Sequence, residues 1–174
     1  MAQGLHQDQH RLNEGEHPLD QDQHWLDEDQ QRVWRAYIAM SRQLHAALER
    51  QMQDESGLPH TYYIILAMLS EAPARSLRMS ELAELVSSSP SRLSHAVDRL
   101  AERGWVRRER DPSDRRGSRA VLTAAGWDVV VATAPGHVRT VRANLFQGVT
   151  PDQLRVLDEV FAGVLQRLSD NEAG

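Results

Sequence analysis

The chain has 174 residues, 40% of them hydrophobic, and a formal net charge of −5. This length fits a single domain of ordinary size. The sequence has no cysteine, which excludes disulfides, thiolate metal sites and thiol chemistry. It also has no apolar run long enough to cross a membrane and no signal-peptide pattern at its start, so we expect a cytoplasmic protein.

Charge is distributed unevenly along the chain. Residues 1–31 contain one arginine and eight acidic residues, whereas residues 74–119 contain eleven arginines and seven acidic residues. A confined basic segment in an acidic protein is typical of a polyanion-binding site. Residues 1–24 are rich in Gln, Asp and His and are predicted to form a flexible polar arm. The histidines of this arm lack the spacing of metal ligands, and no cofactor is expected.

The first half of the chain reads as a series of helices. Apolar residues at 3–4-residue spacing predict a long amphipathic helix over residues 25–56. Tyr62–Leu69 is apolar all round, which predicts a helix that is buried on most sides. A short helix is predicted after Ser80 as its N-cap. A second helix, with Ser89 as N-cap, follows a serine-rich turn and ends at Gly104.

After this helix pair the pattern changes to that of strands. Trp105–Arg110 and Arg119–Leu122 are predicted strands, and Asp111–Gly117 is a turn-forming segment of hairpin length. Two helices followed by a hairpin indicate a winged helix-turn-helix.

The C-terminal part is again helical. Thr123 is predicted to cap a long helix that Pro135-Gly136 should kink or interrupt. Thr150 and Gln153 form a capping-box pattern that opens a last amphipathic helix. The predicted fold is therefore mainly α, with one hairpin in the middle.

The second helix of the predicted pair has a basic stripe beside an apolar one. At about 100° per residue, Arg92, His95 and Arg99 lie on one side, and Leu93 and Val97 lie on the neighbouring side. An arginine stripe often only faces solvent. Here an arginine-rich hairpin follows directly, at the spacing of a winged helix, and the two basic elements together predict DNA binding.

Two adjacent segments carry a recognisable pattern. Asp111–Gly126 contains Asp-x-Arg followed by Leu-Thr-x-x-Gly, and Leu93–Arg110 (LSHAVDRLAERGWVRRER) precedes it. In both, the chain resembles the MarR family of bacterial transcription regulators. The resemblance implies a homodimer in which each subunit presents one winged helix to a palindromic operator on double-stranded DNA.

The same resemblance implies a domain organisation. A winged helix-turn-helix over residues 57–123 would be flanked by dimerisation helices over residues 25–56 and 124–170. The amphipathic character of the terminal helices favours this arrangement independently. A two-fold-symmetric reader must also hold its two DNA-binding units about 34–36 Å apart.

DNA contacts can be assigned to the second helix of the pair. The hydroxyls at its start are expected to contact phosphates, and the first turns of the helix are expected to reach base edges. The predicted contact residues on this element are Ser88, Ser89, Ser91, Arg92, His95 and Arg99.

The wing carries the remaining predicted contacts, Arg115 and Arg116. The resemblance implies that Arg116, the arginine of Asp-x-Arg, enters the minor groove while Asp114 braces the wing. Arginine suits this groove because it is long, planar and less strongly hydrated than lysine. Arg115 or Arg119 is the expected partner of the bracing carboxylate.

Within the family, the signals that regulate binding include phenolic acids. Four residues with an apolar body and a polar group lie near the crevice expected for such a small aromatic effector, although core packing is the simpler explanation for each. They are Trp34, Tyr37, His60 and Tyr63.

Two other classes of function are alternatives to a sequence-specific regulator. An architectural DNA-binding protein without effector input would share every feature of the helix and wing. An enzyme is not expected, because the sequence has no nucleotide-binding glycine motif, no nucleophile elbow and no metalloprotease motif.

Overall fold

The computed structural model describes residues 25–112, 114 and 117–172. The polar arm predicted over residues 1–24 lies outside the described residues. The chain divides into two compact units between Met40 and Ser41, inside its first helix.

The first helix, α1 (Glu28–Ser56), begins with a reciprocal cap. The Gln30 backbone N–H donates to Asp27 Oδ1 at 2.8 Å, and the Asp27 N–H donates to Gln30 Oε1 at 3.2 Å. Two otherwise unpaired donors are thereby satisfied, which fixes the start of the helix.

The remaining elements form the predicted mainly α fold with a winged helix-turn-helix. In chain order they are α2 (His60–Glu71), β1 (Ser76–Arg78), α3 (Met79–Leu85), α4 (Pro90–Glu102), β2 (Val106–Arg110), β3 (Ser118–Leu122), α5 (Ala124–Val141) and α6 (Pro151–Glu172). A 3-10 turn, Pro73–Arg75, precedes β1, and a π-helical turn, Arg142–Phe146, follows α5. Within the described ranges, no helix is long and apolar enough to cross a bilayer.

The three strands form one antiparallel sheet with β3 in the centre, in the order β1-β3-β2. Val106 pairs with Leu122 across the hairpin, and Leu77 pairs with Ala120 on the other side of β3. The hairpin is as predicted. The third strand, β1, was missed because three residues carry no alternation pattern and its partner lies more than forty positions away.

The core of the second unit packs the helix-turn-helix against α2 and the sheet. Its largest fully buried side chains come from α1, α2, α3, α4 and β2, and from Leu58 between α1 and α2. They are Met52, Leu58, Ile65, Leu66, Leu69, Leu82, Leu93, Val97, Leu100 and Val106. This arrangement explains the apolar segment of α2, which lies at the centre of the module.

Local capping follows the sequence closely, with one exception. The Ser89 hydroxyl accepts from the Arg92 N–H at 3.4 Å, and the Thr123 hydroxyl accepts from the Gly126 N–H at 3.0 Å. The predicted Ser80 cap was wrong, because α3 already begins at Met79. The carboxylate that bonds the cap position is that of Glu81, which accepts from the Arg78 N–H at 3.0 Å.

Pro135 does not interrupt α5, which continues to Val141. The side-chain ends of Glu55 and Gln51 lie against the adjacent Gly136: a Cβ there would be 2.1 Å from Glu55 Oε2 and 2.6 Å from Gln51 Nε2. The sequence signal that suggested a break therefore marks a close approach between α5 and the second half of α1.

Candidate nucleic-acid interface

The turn between α3 and α4 sets the start of α4. Ser87 adopts a left-handed conformation with φ of +48°, and the Ser88 N–H donates to the Ala83 carbonyl at 2.9 Å. Ser89 and Pro90 then open α4. This turn reverses the chain within four residues, as a helix-turn-helix requires.

Helix α4 separates its apolar and polar residues as predicted. Leu93, Val97 and Leu100 are buried under the helix, with at most 1% exposure. The opposite, exposed side holds four of the predicted contact residues: Ser91, Arg92, His95 and Arg99. Ser89 is also exposed, and Ser88 is half-buried. The fold therefore collects these side chains at one end of the module.

Two basic residues near the end of α4 are already engaged. Arg99 Nη1 lies 3.0 Å from Glu102 Oε2, and the Arg103 guanidinium lies 5.0 Å from the centre of the Trp105 ring. Arg92, nearer the helix start, forms no ion pair with any residue that the structure describes. The start of α4 is consequently the part most available to a ligand.

The hairpin beside α4 is closed at its base by backbone hydrogen bonds. The Asp111 N–H donates to the Gly117 carbonyl at 3.0 Å, and the Gly117 N–H donates to the Asp114 carbonyl at 2.9 Å. Arg115 and Arg116, predicted to contact DNA, lie outside the described residues. Their roles stay predictions.

A buried carboxylate at the base of the wing was missed by sequence reasoning. The Asp111 side chain is 2% exposed, and its Oδ2 lies 2.7 Å from Arg78 Nε and 3.6 Å from Arg119 Nη1. Arg119 also donates to the Ser76 hydroxyl and carbonyl, both at 2.9 Å. Asp111 thus ties the hairpin to β1 and to the start of α3.

This arrangement bears on the predicted bracing of the wing. Arg119 lies against Asp111, whereas Asp114 is exposed at the turn. Both carboxylates occur in the same Asp-Pro-Ser-Asp stretch, and only the pairing of β1 with β3 reveals which one is buried. Bracing by Asp114 itself remains a prediction.

The junction of the hairpin with α5 depends on one glycine. A Cβ at Gly126 would lie 2.1 Å from the Trp105 carbonyl oxygen. That oxygen also accepts from the Thr123 N–H at 3.0 Å. The Leu-Thr-x-x-Gly pattern therefore has a packing reason: it lets the start of α5 lie directly on the beginning of β2.

Two of the predicted effector residues, Trp34 and Tyr37, belong to the first unit. Their rings stack with centroids 5.8 Å apart, and the residues are 52% and 49% exposed. The interpretation of these two residues as core was wrong for the single chain.

The other two effector candidates, His60 and Tyr63, lie in the second unit around His137. His60 Nε2 is 3.4 Å from His137 Nε2, and the Tyr63 and His137 ring centroids are 4.7 Å apart. Burial lowers the pKa of both histidines, and His137 and His45 lower that of His60 further. Glu49 accepts from the His60 N–H at 2.9 Å.

Two further observations concern ligands in this part of the molecule. The described residues include no group of three His, Asp or Glu side chains arranged to hold a metal ion. Both polar atoms of the Gln51 side-chain amide are buried without a hydrogen-bond partner in the described part of the chain. A buried unpaired amide is costly, so it is a natural contact for a polar ligand atom or water.

The chain is similar to known transcriptional regulators both in sequence and in structure. The family model described as "MarR family" matches residues 56–117. The crystal structure of Sco3205, a MarR family transcriptional regulator from Streptomyces coelicolor in complex with DNA, is 49% identical in sequence. The match covers 83% of this chain and 90% of that chain, with a TM-score of 0.78.

Two other relatives extend this result. AbsC, a MarR family transcriptional regulator from S. coelicolor, is 38% identical over 84% of this chain and 98% of its own, with a TM-score of 0.78. The transcriptional repressor MprA from Escherichia coli K12 is 25% identical over 122 residues, which are 70% of this chain and 69% of MprA. The alignments with both solved structures extend well beyond the winged helix.

Proposed function

Because the chain belongs to the MarR family of transcriptional regulators, we propose that it is a dimeric, ligand-responsive repressor of a palindromic operator. The observation that carries the DNA-binding part is the exposed face of α4 beside an arginine-rich hairpin. The similarity to a regulator solved with DNA and to a named repressor supports the same function.

In this proposal α4 is the recognition helix and lies in the major groove. Ser88 and Ser89 contact phosphates beside the helix start, while Ser91, Arg92 and His95 reach base edges. Arg92 is the strongest candidate for guanine because its guanidinium forms no ion pair with the described residues. Arg99, which pairs with Glu102, contributes a weaker contact farther along the same face.

The wing supplies the second contact. Arg116 enters the minor groove and Arg115 contacts the DNA beside it. The hairpin that carries them is fixed at its base by the Asp111–Arg119 pair, and Asp114 braces its turn. The narrow groove of A·T-rich DNA concentrates negative potential, which favours an inserted arginine. Replacing Arg116 with Ala should weaken binding and reduce its salt dependence by about one charge. Lysine should restore only part of the loss.

The dimer explains apolar residues that the single chain leaves in solvent. None of the described residues of α6 is buried, although several of them are large and apolar. Phe161, Leu165 and Leu168 are 45%, 64% and 56% exposed. At the end of α5, Val138 and Phe146 line an open apolar groove of about 900 Å³. A second copy of the chain is the occupant we propose for this face, since exposed apolar patches of this kind mark interfaces.

A small aromatic acid is the effector class that we propose. The buried Gln51 amide offers a donor and an acceptor without partners among the described residues, and Tyr63 and His137 offer aromatic rings. The exposed, stacked pair Trp34 and Tyr37 is a separate candidate surface, on the first unit. Titration with a panel of phenolic acids tests this assignment. The readouts are the change in tryptophan fluorescence and the release of bound DNA.

The decisive experiment for the DNA-binding function is selection of a preferred duplex from a random pool, followed by titration of the parent and Arg92→Ala. The variant should lose about 1–3 kcal/mol on the selected duplex and less on random DNA. An Arg155→Ala variant, altered on α6, is the control for a lost charge. An equal loss on both DNAs would make Arg92 a phosphate contact. A parent preference below about tenfold would favour an architectural protein instead.

A further inference from the structure

One arginine of the wing points back to the recognition helix instead of outward. Arg108 on β2 donates from Nη2 to the Ser94 carbonyl at 3.0 Å and to the Ser94 hydroxyl at 2.9 Å. Its Nε lies 2.9 Å from Asp98 Oδ1. Three acceptors on α4 therefore hold one guanidinium of the hairpin.

The two α4 partners are spaced to receive this planar group. Ser94 and Asp98 are four residues apart and so lie one above the other on the same face of α4. Arginine presents its donors in a rigid fork, whereas lysine would bring one rotating ammonium. The contact therefore fixes direction as well as distance between the hairpin and the helix.

Arg108 differs in this respect from the other arginines of its strand. Arg107, its neighbour on β2, pairs within the strand with Glu109 at 2.6 Å and is 58% exposed at its side chain, against 32% for Arg108. The stretch Trp105–Arg110 contains three arginines, and nothing in its composition separates Arg108 from Arg107.

Asp98 is the second unusual feature. A carboxylate on a recognition helix repels the phosphates of DNA, and this repulsion lowers the affinity for DNA unless a cation of the protein neutralises the carboxylate. Here its charge is offset by Arg108. Because both side chains are partly exposed, the pair adds little to folding stability. Its value lies in geometry.

We propose that Arg108 is a positioning residue for DNA binding: through Ser94 and Asp98 it locks the wing to α4, so that both reach their grooves together. This inference rests on the proposed DNA-binding function. Without the lock, the hairpin must be ordered at the moment of binding, and that entropy is subtracted from affinity. The same lock makes Asp98 favourable for binding despite its negative charge.

The sign of the Asp98→Ala effect tests the inference. If Arg108 positions the wing, Asp98→Ala weakens binding to the selected duplex, by about tenfold, because contacting residues couple energetically. If Arg108 is instead a phosphate contact that Asp98 restrains, the same variant removes a repulsive charge and frees the guanidinium. Stronger binding by Asp98→Ala therefore overturns the inference.

The arginine itself gives two further readouts. Arg108→Ala should weaken binding by about tenfold and Arg108→Lys should recover little, while the slope of affinity against salt stays that of the parent. Arg107→Ala, with the same lost charge on the same strand, should lose less. An equal loss in Arg107→Ala, or a slope reduced by about one charge in Arg108→Ala, contradicts the positioning role.

A double-mutant cycle separates positioning from general stabilisation. Arg116→Ala should weaken DNA binding by a smaller factor in the Arg108→Ala background than in the parent, because an unlocked wing already contributes less to binding. Equal costs in the two backgrounds overturn the inference. If the parent selects no duplex, both the proposed function and this inference fail. If the parent binds and Asp98→Ala binds more tightly, only the inference fails.

Discussion

Helices α4 and α6 are both amphipathic, yet their apolar faces have different surroundings. On α4, Leu93, Val97 and Leu100 are at most 1% exposed, because α2 and the sheet cover them within the chain. On α6, Phe161 and Leu165 remain 45% and 64% exposed. An amphipathic pattern thus predicts that a face will be covered. It does not say whether the same chain or another copy covers it.

The comparison also separates two kinds of stability. The winged helix should behave as a module completed by its own residues, so its core variants act independently of protein concentration. The face of α6 should gain its stability by association, which depends on concentration. Four measurements test this distinction.

The largest effect is expected from charging the α6 face. Phe161→Asp with Leu165→Asp places two carboxylates on the surface proposed to be buried between copies. Buried hydrophobic anchors typically contribute about 2–4 kcal/mol each, so the dimer should dissociate at micromolar concentration. Sedimentation analysis should then return the mass of one chain.

A matched control changes the charge of α6 equally on its other side. Arg155→Gln with Gln166→Asp also lowers the net charge by two, at residues about 80° or more around the helix from Leu165 and about 120° or more from Phe161. This variant should keep the mass of two chains. A dimeric Phe161→Asp/Leu165→Asp protein would show that this face is not the interface.

The second effect concerns the core of the winged module. Leu100→Ala removes a fully buried side chain and should lower the free energy of unfolding by about 2–5 kcal/mol. Urea unfolding measures this loss, and the variant should remain dimeric under native conditions. A loss below about 1 kcal/mol, or dissociation without loss of the module, would contradict the separation of the two regions.

The third effect concerns the base of the wing. Asp111→Asn removes the buried charge beside Arg78 and Arg119. It should lower the free energy of unfolding by about 1–3 kcal/mol and speed amide hydrogen exchange in β2 and β3. Asp114→Asn, at the exposed position of the same turn, is the paired variant and should cost less. A larger loss in Asp114→Asn would make Asp114 the main brace of the wing.

The smallest effect is the pH dependence of the histidine pair. Burial lowers the pKa of His60 and His137, so the folded protein keeps them neutral while the unfolded chain takes up protons below about pH 6.5. Stability should be complete above that pH and fall as the pH drops toward the lowered pKa values. Unfolding followed at several pH values should show this decline, and His137→Asn should reduce it. An unchanged slope in His137→Asn would assign the decline to other groups.

Much of the fold could be predicted because its determinants are local. Ser89, Thr123 and the Thr150–Gln153 pair announce helix starts within four residues, and the structure has each helix where the cap predicts it. The hairpin was equally accessible, because its turn and both strands are contiguous. The exposed stripe of α4 followed from helical periodicity alone.

The features that sequence reasoning missed depend on residues distant in the chain. Strand β1 exists only because Ser76–Arg78 pairs with β3, and the burial of Asp111 follows from that pairing. In the sequence Arg108 is one basic residue among several. Only the structure shows that it contacts Ser94 on α4, fourteen positions earlier. Pro135-Gly136 suggested a helix break because both residues are poor helix formers. The close approach of α1 to Gly136 has no local signature in the sequence.

The most direct measurement is the mass and footprint of the protein on its selected duplex. A winged module completed within each chain, joined to a second copy by the terminal helices, should give two chains on one duplex. Hydroxyl-radical cleavage should show two related protected half-sites with centres about 34–36 Å apart. One chain per duplex, or protection without two-fold symmetry, would contradict the proposed dimeric reader.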